Sequence, residues 1–167
     1  QAGTSVSRDF VELPSQIMEN WCFEPQVMKT YAKHYTTGEV MPQELMDKIQ
    51  KAGTFNQGFT MTELLSASLL DMDYHSIKDT ANFDVEAFEK ATMERIGMIP
   101  EIIVRYRSTF FNHIFTGGYS AGYYSYTWAE VLDADAYQAF VESGDIYNPK
   151  IAKKKKKNIL EKGDSDD

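Results

Sequence analysis

A chain of 167 residues has room for one domain or for a piece of a larger one. Its hydrophobic fraction of 43% and charged fraction of 25% are ordinary globular values and exclude wholesale disorder. A net charge of −8 disfavours a nucleic-acid partner, and the single cysteine, Cys22, excludes a disulfide framework. We expect no membrane partner, because no apolar run reaches the roughly 18 residues of a spanning helix.

The charge is unevenly distributed along the chain. Seven lysines and four acidic residues follow Ile146, which leaves 1–146 with a net charge of −11. We therefore predict a folded part at 1–150 and a flexible, Lys-rich tail at 151–167. The chain opens without Met and closes on Gly-Asp-Ser-Asp-Asp, so we expect both ends to be cuts through a longer protein.

Apolar residues at helical spacing predict the first half of the fold. Phe10, Leu13, Ile17 and Trp21 recur at intervals of three and four, which predicts an amphipathic helix within 5–23. Pro14 is expected to bend this helix or to mark its first turn. Further helices are predicted at 26–35, from 42 through 51, at 61–70 and at 84–93.

The second half is apolar and aromatic. Residues 99–115 fit a helix or a buried strand by periodicity alone, and their length favours a helix. Gly117 and Gly118 predict a flexible break, followed by a long helix at 119–140. Because no stretch alternates as an exposed β-strand does, the predicted fold class is all-α.

Three groups of residues are candidates for chemistry. Asp9 and Glu12 are carboxylates three residues apart on the first predicted helix, a pattern that by itself is more typical of a solvated pair. His34 and His75 are interpreted as surface or hydrogen-bonded core residues, although Asp71 and Asp73 precede His75 closely.

The third candidate group is the stretch 112–126. A histidine, a Gly-Gly hinge and spaced tyrosines suit a mobile loop whose hydrogen-bond donors stabilise a developing oxyanion. The same residues also suit an aromatic core with a glycine turn. Composition and spacing leave both interpretations open.

Several separated motifs resemble the thimet-oligopeptidase family of zinc metallopeptidases. The segment 3–16 resembles the one that follows the family's HExxH helix, and 113–130 is similar to its glycine-rich substrate loop and the next helix. The six-residue interval from His113 to Tyr119, with the motifs at 55–59 and 70–75, resembles the bacterial peptidyl-dipeptidase (dipeptidyl carboxypeptidase) branch. The resemblance covers positions 3–150 in order.

This resemblance implies the helical C-terminal part of a zincin-type catalytic domain that acts on short peptides. Glu12 matches the family's third zinc ligand, and Asp9, one turn earlier, has the spacing of a residue that supports that ligand. His113 and Tyr126 match residues that approach the scissile carbonyl and stabilise the tetrahedral intermediate.

The loop between these two residues is implied to bind substrate. Tyr119 matches a tyrosine that contacts the peptide, and Gly117 and Gly118 would let the loop close on it. Tyr123 lies four residues after Tyr119 and three before Tyr126, which predicts roughly the same helical face for all three, and it is a further candidate for substrate binding.

The sequence departs from the family in one respect. A zincin needs two histidines at i and i+4 with a glutamate between them, and this chain contains no HExxH. We therefore expect a fragment that is inactive alone, whose partners are the remainder of the catalytic domain and, through self-association, other copies.

Two other questions remain open from sequence. The alternative function is a non-catalytic helical module that binds peptides or other partners through the aromatic loop. The expected location is the cytoplasm, because one cysteine and no signal segment fit it, and a periplasmic or secreted location stays open because the chain lacks an initiating Met.

Overall fold

The computed structural model describes residues 5–163 and Ser165. It divides into two compact units, Gln1–Phe55 with Ser125–Asp167 and Asn56–Tyr124. Across the described residues the α-helices are α1 Leu13–Cys22, α2 Pro25–Tyr31, α3 Gln43–Ala52, α4 Gln57–Tyr74, α5 Val85–Arg95, α6 Asn112–Phe115, α7 Ser125–Glu142 and α8 Pro149–Lys155.

The predicted all-α fold class is confirmed. Among the residues described, β-structure is limited to an isolated bridge between Lys33 and Val40. Two 3-10 turns, Arg8–Phe10 and Ser108–Phe110, and one π turn, Lys156–Leu160, complete the regular structure. No helix in this part of the chain combines the length and the apolar character needed to cross a membrane.

The predicted helix bounds shift where local backbone chemistry intervenes. The first helix begins at Leu13 rather than at residue 5, with Pro14 in its first turn, where a missing N–H costs nothing. The predicted helix at 119–140 begins at Ser125, because 116–124 form turns. The flexibility predicted for 151–167 stays a prediction, but the segment carries most of α8, which Asn148 caps through its Oδ1.

The prediction of a helix at 99–115 is wrong. This segment holds only the Ser108–Phe110 turn and the single-turn helix α6. Pro100 disfavours helical backbone at the preceding residue, and the β-branched residues at 102–104 lose side-chain freedom in a helix. Tertiary contacts then supply hydrogen-bond partners that a helix would otherwise provide.

Glu89 supplies these contacts. Its buried Oε2 accepts hydrogen bonds of 2.7 Å from both the backbone N–H and the hydroxyl of Ser108, and Oε1 pairs with Arg107. The carboxylate therefore binds an irregular segment to α5.

The first unit is organised around α1 and α7. Leu13 and Ile17 are buried on α1, and Trp21 packs edge-on against Tyr137 and Phe140 of α7 at centroid distances of 4.8 and 5.1 Å. The Trp21 indole also donates to the carbonyl of Ile146 at 2.9 Å. One aromatic side chain thus joins three parts of this unit.

The second unit is organised around α4 and α5. Leu70 is fully buried on α4, and Tyr74 packs against Phe88 of α5 with ring centroids 4.7 Å apart. Asp73 on α4 accepts hydrogen bonds from Thr92 and Arg95 on α5, at 2.8 and 2.6 Å. Apolar packing and this polar pair therefore hold the same two helices together.

We expect Glu89→Ala to lower the free energy of unfolding by about 3 kcal/mol, because it leaves the Ser108 donors and the Arg107 guanidinium without their carboxylate. Chemical denaturation of the chain measures this change. The matched control is Glu94→Ala on the same helix, whose 3.8 Å pair with Lys90 is exposed and should cost about 0.5 kcal/mol or less. Equal losses in the two variants would contradict the role given to Glu89.

Candidate functional site

Glu12 lies immediately before α1 and is half-buried. Its Oε2 accepts a 2.8 Å hydrogen bond from the Ser15 hydroxyl, and its carbonyl oxygen accepts from Gln16 N at 2.9 Å. The positive end of the α1 dipole favours a negative charge at this position. The helix start and the Ser15 hydroxyl therefore hold the Glu12 carboxylate in place.

Asp9 lies one turn earlier, in the 3-10 turn Arg8–Phe10. It lines a cavity of about 340 Å³ in the first unit, together with Phe10, Asn158 and Lys162.

A zinc ion needs at least three protein ligands in a catalytic site. Within the described part of the chain, no group of three or more His, Cys, Asp and Glu side chains is arranged to hold a metal ion. The residues that the structure describes therefore do not form a complete zinc site around Glu12.

His113 lies on the single-turn helix α6 of the second unit, surrounded by aromatic rings. Its ring centroid is 4.9 Å from that of Tyr106, 5.7 Å from Tyr123 and 6.0 Å from Tyr119. Tyr106 also stacks on the buried Phe111 at 5.1 Å. The structure thus gathers His113, Tyr119 and Tyr123 into one cluster.

The glycines after α6 allow a close backbone turn. A Cβ at Gly117 would lie 2.8 Å from His113 Cα and 2.9 Å from its carbonyl oxygen, so the backbone would have to shift to accept any side chain there. Gly118 adopts a φ of 82°, in the region that favours glycine. Tyr119 N then donates to the His113 carbonyl at 3.0 Å. The Gly-Gly pair therefore folds the loop back onto the histidine.

Tyr123 is almost fully buried, and this burial raises its pKa to about 12. Tyr106 reinforces the increase, whereas the Arg105 guanidinium opposes it. The Tyr123 phenol therefore remains protonated at neutral pH and is able to donate a hydrogen bond. The sequence did not indicate that Tyr106 and Arg105 lie beside Tyr123, because both belong to the segment that was predicted to be a helix.

Tyr126 lies in the first turn of α7 and belongs to the first unit. Its carbonyl oxygen accepts a 3.1 Å hydrogen bond from Gln16 Nε2 on α1, and its side chain is half-buried. The prediction that Tyr119, Tyr123 and Tyr126 share a helical face is wrong, because only Tyr126 is helical. Turns replace the helix where the loop folds back.

The other two histidines make local hydrogen bonds. His34 Nδ1 accepts from the backbone N–H groups of Thr36 and Thr37 at 3.3 and 3.2 Å. His75 Nδ1 lies 2.8 Å from Oδ1 of Asp71, the buried residue one turn earlier. Both histidines thus have hydrogen-bond partners within four residues along the chain. The i, i+4 spacing of Asp71 and His75 was the sequence signal for the second contact.

The chain belongs to Peptidase family M3, whose match spans residues 1–167. It is 47% identical to dipeptidyl carboxypeptidase of Escherichia coli (strain K12), over 99% of this chain and 24% of that protein. It is 39% identical to oligopeptidase A of the same organism, over 98% of this chain and 24% of that protein. The resemblance found in the sequence is confirmed, and the chain spans about a quarter of the length of these relatives.

We expect Gly117→Ala to lower the free energy of unfolding by about 1–3 kcal/mol, because the new methyl group collides with the His113 backbone. Thermal or chemical unfolding of the chain measures the loss. Gly58→Ala is the matched control: nothing lies within 4 Å of the added Cβ, and α4 should gain up to about 1 kcal/mol. An unchanged stability for Gly117→Ala would contradict the close approach.

Proposed function

We propose that this chain is part of a zinc-dependent metallopeptidase that hydrolyses short peptides, of the peptidyl-dipeptidase or oligopeptidase type. The observation that carries the proposal is the match to Peptidase family M3 across residues 1–167. Relatives with those activities in their names, dipeptidyl carboxypeptidase and oligopeptidase A, align with nearly the whole chain.

We assign Glu12 as one ligand of the zinc ion, with Asp9 supporting it. The support is chemical: a carboxylate held at a helix start is a suitable oxygen ligand, and catalytic zinc commonly takes two histidines and a glutamate. The described residues do not complete this set, and the sequence has no HExxH. We infer that the remainder of the catalytic domain supplies the other ligands and the general base.

We assign His113 and Tyr126 to stabilising the oxyanion that forms when the peptide carbonyl is attacked. An imidazole N–H and a phenol O–H are suitable donors for a developing negative charge. Tyr119 and Tyr123 would contact the peptide, and Gly117 and Gly118 would let the loop adjust to it. The clustering of His113, Tyr119 and Tyr123 supports this division of roles.

The isolated chain is expected to have no peptidase activity, even with added zinc, because one carboxylate cannot hold a catalytic ion. Internally quenched peptides provide the assay, with and without a chelator. Zinc-dependent turnover by the purified chain, abolished by the chelator, would contradict both the ligand count and the assignment of Glu12 as a lone ligand.

In the complete peptidase that contains this sequence, we expect Tyr126→Phe to lower kcat by about 100-fold or more with little change in KM. Loss of one oxyanion donor has this effect because it acts on the transition state rather than on substrate binding. The matched control is Tyr124→Phe, two residues earlier and 43% exposed, which should keep its kcat. Equal kcat values in the two variants would remove Tyr126 from the proposed mechanism.

A further inference from the structure

Asp71 on α4 has a fully buried side chain that contacts the loop 116–124 of the same unit. Its Oδ1 accepts a 2.9 Å hydrogen bond from Ala121 N, and its Oδ2 accepts a 2.8 Å hydrogen bond from Tyr123 N. His75 Nδ1 lies 2.8 Å from Oδ1. One carboxylate thus holds two backbone N–H groups of the loop and one imidazole.

The loop adopts a conformation at this point that needs such support. Ala121 has a φ of 51°, in the left-handed region that residues with a Cβ rarely adopt. Gly122 N donates to the Tyr119 carbonyl at 2.8 Å, which closes the turn around Ala121. Ala121, the most strained residue of the turn, therefore donates its backbone N–H to Asp71.

This turn separates the two tyrosines of the cluster around His113. Tyr119 precedes it, and Tyr123 follows it with its own N–H bound to Asp71. Ser120 adds a 2.5 Å hydrogen bond from its hydroxyl to the Ile114 carbonyl on α6. The loop is therefore anchored at one side to the helix that carries His113 and at the other side to α4.

We propose that Asp71 is a positioning residue for the peptidase reaction, one that holds the turn 119–123 so that Tyr119 is presented to the peptide beside His113, while the buried Tyr123 packs against the same histidine. This inference rests on the proposed function. Asp71 touches neither substrate nor reacting atoms; it acts through the backbone of the loop. His75 completes the hydrogen bonding of the buried carboxylate, which would otherwise be costly to bury.

The substitution Asp71→Asn separates this role from simple packing. Asparagine has nearly the same shape, but its amide offers one acceptor oxygen, and its NH₂ group would face a backbone N–H donor. One of the two hydrogen bonds to the loop is then lost, because the asparagine NH₂ group and a backbone N–H group would point at each other. Asp73→Asn is the matched control, because Asp73 lies two residues further along α4 and contacts Thr92 and Arg95 instead of the loop.

The experiment compares both variants with the wild type in the complete peptidase. Hydrogen exchange followed by mass spectrometry should show the peptide covering 116–124 exchanging about 10-fold faster in Asp71→Asn, and at the wild-type rate in Asp73→Asn. Cleavage of a quenched peptide should show kcat/KM falling about 10- to 100-fold in Asp71→Asn, mainly in kcat, with little change in Asp73→Asn.

Two results would overturn the proposal: unchanged loop exchange in Asp71→Asn, or equal losses of kcat in the two variants. If Asp71→Asn does not fold, His75→Ala provides the second test. We expect a smaller increase in hydrogen exchange of the loop in this variant. An unchanged exchange rate would overturn the proposal. A wild-type enzyme without peptidase activity would refute the proposed function. The exchange comparison would then still decide whether Asp71 positions the loop.

Discussion

Irregular backbone must find partners for its N–H groups, and in the unit Asn56–Tyr124 two buried carboxylates provide them. Glu89 accepts from Ser108, and Asp71 accepts from Ala121 and Tyr123. Each acid lies on a long helix and fixes a segment that has little regular structure of its own. The position of the aromatic cluster around His113 therefore depends on polar contacts to α4 and α5 as much as on apolar packing.

This arrangement has a consequence for the proposed reaction. A loop that binds peptide must be ordered enough to place its donors and free enough to admit the substrate. Here the close approach at Gly117 fixes the start of the loop, and the Asp71 hydrogen bonds fix Ala121 and Tyr123. Most of the other loop residues, including Gly117 and Gly118, are exposed. Burial raises the pKa of the Tyr123 phenol still further above neutral pH, so this side chain stays a hydrogen-bond donor within the cluster.

The helices with clear periodicity were predictable, and the failures have physical causes. The stripe through Leu13, Ile17 and Trp21 is the packed face of α1, with Leu13 and Ile17 buried and Trp21 half-buried, because a 3.6-residue period directs these side chains to one side. The segment 99–115 is equally apolar, but burial there is achieved by irregular backbone that Glu89 holds. Hydrophobicity alone could not distinguish these cases, since it does not report where the backbone hydrogen bonds go.

Residue type and order along the chain were enough to recognise the family and the all-α class and to nominate candidate residues, because a family resemblance and helical periodicity are both properties of the sequence. Which residues surround His113, and what holds the loop beside it, became clear from the folded chain. Tyr106 and Asp71 enter the site region through contacts with residues up to 52 positions away. Such contacts follow from how the chain folds back, which local periodicity does not specify.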